Sequence, residues 1–181
     1  MKINTFHIEG LILFEPRIFN DDRGFFYESF NNLKYEEFLG KNVHFVQDNI
    51  SSSKKGVIRG LHFQDPPYAQ GKLVTVIKGS VLDVAVDIRK GSKTYGRHQT
   101  VELSEENKHQ FWIPPGFAHG FLALQDDTIV SYKCTNYYSL AHEDTIKWND
   151  PDLNIDWKFN DPLVSEKDKM GKDFSNFVSP F

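Results

Sequence analysis

The segment that decides the fold is residues 72–88, KLVTVIKGSVLDVAVDI, in which two apolar runs flank Gly79 and Ser80. Residues 73–78 and 81–88 have the period-two pattern of strands, and the Gly-Ser pair is typical of a turn between them. Alternate residues of the second run form an apolar set and a more polar set, namely Leu82, Val84, Val86 and Ile88 against Asp83, Ala85 and Asp87. We therefore expect a strand whose apolar face lies on the core and whose other face is polar.

Strand patterns dominate the rest of the chain. Further strands are predicted near residues 11–19, 25–30, 43–50, 57–64, 98–103, 110–113, 119–124 and 128–135, and helices only at 32–39 and after 164. The connections at 54–56, 90–96, 104–107 and 125–127 are short and polar or glycine-rich, as in antiparallel hairpins. This pattern predicts an all-β double-sheet jelly roll or barrel with a few short peripheral helices. The length of 181 residues fits one domain, 1–181.

The composition limits the classes of partner. The chain is 39% hydrophobic with 16 Phe and 3 Trp, which is enough apolar material for a core. A net charge of −4 argues against general binding to nucleic acid or to anionic membranes. No apolar run approaches the ~18 residues of a membrane-spanning helix, and no export signal is visible, so we expect a cytoplasmic protein. The single cysteine, Cys134, provides neither an internal disulfide nor a cysteine metal cluster.

Residues 56–64, GVIRGLHFQ, carry unusual polar groups for a strand. His62 and Gln64 share a face, whereas Arg59 falls on the opposite face unless the chain bulges at Gly60. A histidine of this kind, taken alone, is more often a surface residue of an edge strand than a catalytic group. Its neighbours decide between the two interpretations.

A second segment, FWIPPGFAHGF at residues 111–121, brings His119 into a strand after a rigid Pro-Pro-Gly approach. The spacing Pro-x-Gly-x-x-His resembles the second conserved motif of cupins. Metal-binding cupins usually add a first motif with His-x-His and a glutamate, and this chain offers only His62 there. Asp83 or Gln64 could at most complete a weak site, so we expect no metal.

Without a metal, His62, Lys72, Tyr132 and a carboxylate are the groups that remove a proton next to a carbonyl. They supply a base, a cation for the enolate oxygen and a phenol that returns a proton. That chemistry is epimerisation. Individually, Lys72 could be a solvated strand lysine and Tyr132 a cross-strand aromatic.

The chain resembles the dTDP-4-dehydrorhamnose 3,5-epimerases across residues 5 to 170. The resemblance rests on FNDDRGFFYESF, FVQDNISSSKKGVIRGLHFQ, QGKLVTVIKGSVLDVAVDIRKGSKTYG, IPPGFAHGF, YKCTNYYS, IKWNDPDLNIDW and LVSEKD. It implies a cupin-like double-stranded β-helix, a homodimer, no metal or organic cofactor, and dTDP-4-dehydro-6-deoxy-D-glucose as the substrate.

The resemblance also implies a role for individual residues. His62 would be the base and Asp168 its orienting partner, with Lys72 facing the ketone oxygen and Tyr132 as the acid. The residues that match nucleotide and sugar contacts are Arg23, Phe26, Glu28, Gln47, Asn49, Arg59, His119, Glu143 and Lys167. We expect Arg23, Phe26 and Glu28 to reach the nucleotide in the partner's site. The pair Tyr137-Tyr138 leaves open which ring contacts the nucleobase.

Two alternatives to the double epimerase remain. One is a related enzyme on the same fold, such as a 3- or 5-only epimerase or a ketoisomerase acting on another nucleotide sugar. The other is a non-catalytic cupin that binds a sugar. The segment after Met170 has no functional pattern, although Phe174 and Phe177 are suited to covering apolar surface.

Overall fold

The strands on either side of Gly79 lie in different sheets. The computed structural model, which describes residues 1–181, places β7 (Lys72–Lys78) and β8 (Ser80–Asp87) in two facing sheets of a jelly roll. The first sheet has the order β1-β2-β10-β7-β12-β5, and its other strands are β1 (Lys2–Thr5), β2 (Ile12–Glu15), β5 (Gln47–Ser53), β10 (Gln110–Ile113) and β12 (Thr128–Cys134). The second has the order β13-β6-β11-β8-β9, and its other strands are β6 (Val57–Gln64), β9 (His98–Ser104), β11 (Phe117–Ala123) and β13 (Glu143–Thr145).

Smaller elements surround the two sheets. Strand β14 (Leu163–Val164) runs parallel to β6, and β3 (Phe19–Asp21) with β4 (Gly24–Phe26) forms a separate hairpin. Helix α1 spans Asn32–Leu39, as the sequence predicts, and α2 spans Glu166–Lys169. Two 3-10 helices span Leu140–His142 and Phe174–Asn176. None of the helices is long and apolar enough to cross a membrane.

Only one of the four connections predicted to form hairpins joins two paired strands. The connection at 90–96 joins the paired strands β8 and β9. The connections at 54–56, 104–107 and 125–127 instead carry the chain from one sheet to the other. A short polar connection shows where the chain turns. Which strands then pair depends on the long-range order of the strands in each sheet.

Both faces of β8 are buried, which corrects the expectation of one core face and one polar face. Val81 and Ala85 lie in the core between the sheets, together with residues of β7, β10 and β12. Val84 and Val86 lie on the outer face of their sheet, where Trp157 and other residues of the C-terminal segment cover them. The polar set therefore faces the interior of the barrel, and the interior is where the candidate site lies.

The C-terminal segment closes the second sheet. Phe177 is buried in the outer core against Phe63, at 5.4 Å between ring centroids, which confirms the covering role expected of it. On the opposite side of the molecule, α1 buries Tyr35 against Phe14, Leu73 and Trp112. The C-terminal segment and α1 leave one end of the jelly roll open, next to Lys72 at the start of β7.

Several strand boundaries differ from the predicted ones. Strands β1 and β3 and the short β13 and β14 were missed, and the strand predicted at 25–30 ends already at Phe26. The strand predicted at 11–19 ends at Glu15, because Pro16 has no N–H for the ladder. The strand predicted at 43–50 begins only at Gln47. Val43 and Phe45 pack instead against the core under α1.

Candidate active site

A cavity of about 220 Å³ opens at the end of the barrel where β7 begins. Six of the predicted site residues line it, namely Gln47, Asn49, His62, Lys72, Tyr132 and Glu143. They come from both sheets, because β5, β7 and β12 belong to one and β6 and β13 to the other. The jelly roll thus gathers residues up to 96 positions apart around one space.

His62 is held by a carboxylate. Its Nε2 lies 2.6 Å from Asp168 Oδ1, and the backbone N–H of Gly60 donates to Asp168 Oδ2 at 3.3 Å. Ser165 caps α2 and accepts from the backbone N–H of Asp168. Burial alone would raise the pKa of Asp168, but the His62, Gly60 and Ser165 contacts hold it below its ordinary value. Asp168 is therefore an ionised partner that fixes the imidazole ring.

A bulge at Gly60 lets Arg59 and His62 serve the same region. His119 of β11 pairs with His62 and Phe121 with Arg59, so two residues of β6 oppose the single residue Gly120. The bulge inferred from the sequence is confirmed. Gly60 has φ 135°, and a Cβ there would lie 2.5 Å from the Cα of Gly120, so only glycine fits.

Arg59 and Lys167 lie beside the dyad. They line a second depression together with His62 and Asp168. The Arg59 guanidinium is anchored by Ser53 Oγ at 3.1 Å and by the Ser52 carbonyl at 3.0 Å, which leaves part of its donor set free. These two cations are placed to receive an anion next to the imidazole.

Lys72 and Tyr132 line the other side of the cavity, across from His62. Tyr132 packs against the central core from the same side of β12 as Val130, which confirms its inward direction. Burial raises the pKa of Tyr132, and the nearby Cys134 and Glu143 add to the rise. The phenol therefore keeps its proton at neutral pH.

Burial has the opposite effect on the lysine. It lowers the pKa of Lys72, while Cys134, Asp83 and Glu143 partly oppose that change. No salt bridge or side-chain hydrogen bond engages the Lys72 ammonium group. The ammonium can therefore meet an oxygen in the cavity.

His119 and Asp83 form a second histidine–carboxylate pair beneath the first. His119 Nε2 lies 2.9 and 3.0 Å from the two Asp83 oxygens, and both residues are buried. Burial lowers the pKa of His119, and Lys72 and His62 nearby act in the same direction. His119 does not itself line the 220 Å³ cavity. The structure thus places this predicted substrate contact deeper than the others.

Glu143 connects the mouth of the cavity to α2. Lys167 Nζ lies 2.5 Å from Glu143 Oε1, and the Tyr138 hydroxyl donates to Glu143 Oε2 at 2.9 Å. Although burial would raise the pKa of Glu143, the Lys167 and Tyr138 contacts lower it below its ordinary value. Glu143 is an ionised group that orients both neighbours.

Three predicted residues are not brought to the cavity within one chain. Arg23, in the turn of the β3–β4 hairpin, is 90% exposed and binds only Asp21. Phe26 is 69% exposed, and Glu28 pairs with Lys34. The hairpin also exposes Phe19 and Phe25, so it presents an uncovered aromatic surface.

The described side chains include no group of three or more His, Cys, Asp or Glu suited to hold a metal ion. Asp83 is engaged by His119. Gln64, the other residue considered for a weak metal site, directs its amide to backbone groups.

Sequence reasoning missed Phe63, Gln64 and Gln70 as cavity-lining residues and left Tyr138 undecided. Tyr138 lines the cavity, whereas Tyr137 does not. Gln64 lies two residues after His62 on the same strand face, and that spacing was the only available signal. Nothing local distinguishes Gln70.

Comparisons with known proteins agree with this geometry. A family model described as dTDP-4-dehydrorhamnose 3,5-epimerase matches residues 5–176. Proteins named dTDP-4-dehydrorhamnose 3,5-epimerase are 54% identical over 177 residues in Pseudomonas aeruginosa, covering 97% of both chains, and 53% identical over 174 residues in Shigella flexneri, covering 96% of both. A crystal structure of dTDP-6-deoxy-D-glucose-3,5-epimerase from Legionella pneumophila, in complex with dTDP-4-keto-L-rhamnose, has 50% identity and a TM-score of 0.94, covering 98% of this chain and 94% of that one. The chain belongs to the dTDP-4-dehydrorhamnose 3,5-epimerase family.

Proposed function

We propose that this chain inverts C3 and C5 of dTDP-4-dehydro-6-deoxy-D-glucose to give dTDP-4-dehydro-L-rhamnose. The observation that carries the proposal is that the His62–Asp168 pair and the Lys72 and Tyr132 side chains meet at one cavity. The names of the relatives and the ligand of the Legionella structure support this substrate.

The first step is the loss of a proton next to the C4 ketone. Nε2 of His62 is hydrogen-bonded to Asp168, so Nδ1 is the ring nitrogen that accepts the proton. The electrons of the C–H bond form the C=C bond of an enolate, and the carbonyl π electrons move to the C4 oxygen. Asp168 stabilises the imidazolium that results.

Lys72 is the cation for the enolate oxygen. Its half-buried position places the ammonium in a medium where the charge on the oxygen is stabilised more strongly than in water. Both C3 and C5 are adjacent to C4, so one cation serves both deprotonations. The Lys72 ammonium supplies the positive charge that a metal ion would otherwise provide, and no electrons leave the sugar, so the proposed reaction needs no metal and no organic cofactor.

Tyr132 returns a proton to the opposite face of the enolate. Inversion requires an acid across the sugar from the base, and Tyr132 belongs to the sheet that faces the sheet of His62. Donation from the phenol restores the ketone, and exchange with water resets both side chains. The raised pKa of Tyr132 keeps the phenol protonated before each turnover.

The nucleotide binds at the mouth of the cavity. The Tyr138 ring offers a stacking surface for the nucleobase, and Gln47 and Asn49 offer amide groups. Arg59 and Lys167 bind the diphosphate. His119 lies below the sugar site, close to Lys72 and His62. Tyr137 takes no part through its side chain.

The functional unit is a homodimer in the cytoplasm. The exposed hairpin carrying Arg23, Phe26 and Glu28 has no contact with the cavity of its own chain. Exposed aromatic surface of this kind marks an interaction site. A partner subunit would receive the hairpin at its own nucleotide site.

The test is incubation of the wild-type protein with dTDP-4-dehydro-6-deoxy-D-glucose in deuterated water, followed by NMR of the product. Deuterium at both C3 and C5 with inversion at both supports the proposal. Inversion at one carbon only indicates a 3- or 5-only epimerase, and binding without exchange indicates a non-catalytic cupin.

A further inference from the structure

We propose that Gln64 is a positioning residue for nucleotide recognition, because it fixes the backbone on both sides of Tyr138. This inference rests on the proposed function, in which the Tyr138 ring contacts the nucleobase. Gln64 is only 4% exposed, and its amide makes three hydrogen bonds to backbone groups.

Two of these bonds flank Tyr138 directly. Gln64 Nε2 donates to the Tyr137 carbonyl at 3.1 Å, and the Ser139 N–H donates to Gln64 Oε1 at 2.6 Å. The carbonyl belongs to the peptide unit before the Tyr138 Cα, and the N–H belongs to the peptide unit after it. One side chain therefore restrains both peptide planes that set the direction of the Tyr138 side chain.

The third bond ties the segment to the neighbouring loop that follows β6. Gln64 Nε2 also donates to the Tyr68 carbonyl at 2.7 Å. From the other side, the Tyr138 N–H donates to Gln47 Oε1 at 2.9 Å, so the peptide unit between Tyr137 and Tyr138 is held at both ends. Gln64 and Gln47 form a clamp around an otherwise irregular segment.

Tyr138 needs such a clamp because the residue is 51% exposed and packing does not hold its ring. Apart from its backbone, only the hydroxyl contact with Glu143 fixes the ring. A ring that is ordered before the ligand arrives loses less conformational freedom on binding. Since Gln64 and His62 share the rigid strand β6, the clamp also sets the distance between nucleotide and base.

The inference predicts a change in binding without a change in chemistry. Gln64→Met removes all three bonds while nearly keeping the volume, and we expect the KM for the dTDP-sugar and the Kd for dTDP both to rise about tenfold. The kcat should stay within about threefold of wild type, since the side chains of His62, Asp168, Lys72 and Tyr132 are unchanged.

Double-mutant cycles with Tyr138→Ala and Tyr137→Ala separate positioning from general damage. If Gln64 acts through the Tyr138 ring, Gln64→Met should add little to the dTDP Kd of Tyr138→Ala but should add its full effect to Tyr137→Ala. Asn107→Asp is the matched control, because its amide also clamps a turn, between Ser104 and His109, at the far end of the barrel. That variant should keep the wild-type KM and Kd.

If Gln64→Met does not fold, Gln64→Glu is the variant to measure. It keeps an oxygen that accepts from the Ser139 N–H but cannot donate to the carbonyls of Tyr68 and Tyr137. A loss of kcat with unchanged KM, or full additivity with Tyr138→Ala, would overturn the role of Gln64. Isothermal titration with dTDP reports on the clamp even without turnover. Wild-type protein that binds dTDP but does not convert the sugar contradicts the proposed function alone, and protein that does not bind dTDP contradicts both.

Discussion

His62 and Asp168 are 106 residues apart in the chain, yet His62 Nε2 and Asp168 Oδ1 lie 2.6 Å apart. The contact joins β6 to α2. The Gly60 N–H also donates to the Asp168 carboxylate, and the Ser165 hydroxyl caps α2 by accepting from the Asp168 backbone N–H. An imidazole fixed in this way leaves its other ring nitrogen, Nδ1, for the proposed role as base.

Replacing the base should stop turnover while preserving nucleotide binding. For His62→Asn we expect a loss of ~10²–10⁴ or more in kcat, because proton abstraction loses its base. Asp168→Asn should also lower kcat, by misorienting the imidazole. Steady-state kinetics and dTDP titration measure both quantities. His98→Asn, on β9 of the second sheet, is the control with wild-type activity, and near-normal exchange of both sugar protons by His62→Asn would show that the base is another group.

Removing metal ions should leave the activity unchanged. The proposed steps move only protons, and the site residues do not form a metal-ligand set. Dialysis against a chelator, followed by activity assay and metal analysis, tests this expectation. Activity that disappears with the chelator and returns with one particular metal would be incompatible with it.

Lys72 should limit the activity at high pH and reduce the stability at neutral pH. The proposed mechanism uses the ammonium form of Lys72. Because burial lowers the pKa of Lys72, the basic limb of the kcat/KM profile should lie below the ordinary lysine value of 10.5. Below the pKa of Lys72 in the folded protein, the unfolded chain binds the ammonium proton more favourably than the folded chain does. The buried charge therefore lowers the free energy of unfolding at neutral pH, and this loss becomes smaller as the pH rises towards the ordinary lysine pKa.

The corresponding variant is Lys72→Met, which should be nearly inactive yet have a higher Tm than wild type at pH 7. Lys78→Met, at the exposed far end of the same strand, is the matched control and should change neither quantity. A lower Tm together with normal activity for Lys72→Met would contradict the assigned role.

The homodimer can be tested by complementation. If the hairpin serves the partner's site, then Arg23→Ala and His62→Asn are each defective, but a mixed dimer contains one intact site. Random subunit mixing should restore about a quarter of the wild-type sites. Co-expression and activity assay measure this recovery. A fully active monomer in sedimentation, or no recovery in the mixture, would exclude a shared site.

The sequence predicted which residues of β6 and β12 face inward better than it predicted the inward face of β8 or the pairing of the strands. The period-two pattern placed Tyr132 beside Val130, and Gly60 indicated the bulge that brings Arg59 to the side of His62. The same pattern could not show that β7 and β8 lie in different sheets, because alternation specifies faces and not neighbours. It also could not show that the C-terminal segment buries the outer face of β8.

The site was predictable to different degrees. His62 and Lys72 are close enough in the chain for their strands to suggest a common site, whereas Asp168 was identified only through the family resemblance. Gln64 was recognised as sharing a face with His62, but its bonds to Tyr68, Tyr137 and Ser139 depend on the course of two irregular segments. Patterns within strands carry no information about such contacts.

In the proposed mechanism, His62 and Tyr132 act from opposite sides of the sugar, and this arrangement makes the reaction an inversion. The most direct test of this arrangement is Tyr132→Phe incubated with dTDP-4-dehydro-6-deoxy-D-glucose in deuterated water, with NMR of sugar deuteration and configuration. Tyr95→Phe, a tyrosine that packs on Phe174 away from the cavity, serves as the control. We predict that Tyr132→Phe folds normally and still exchanges a sugar proton, but gives much less doubly inverted product than wild type. A wild-type yield of dTDP-4-dehydro-L-rhamnose from Tyr132→Phe would contradict this mechanism and assign this tyrosine to packing.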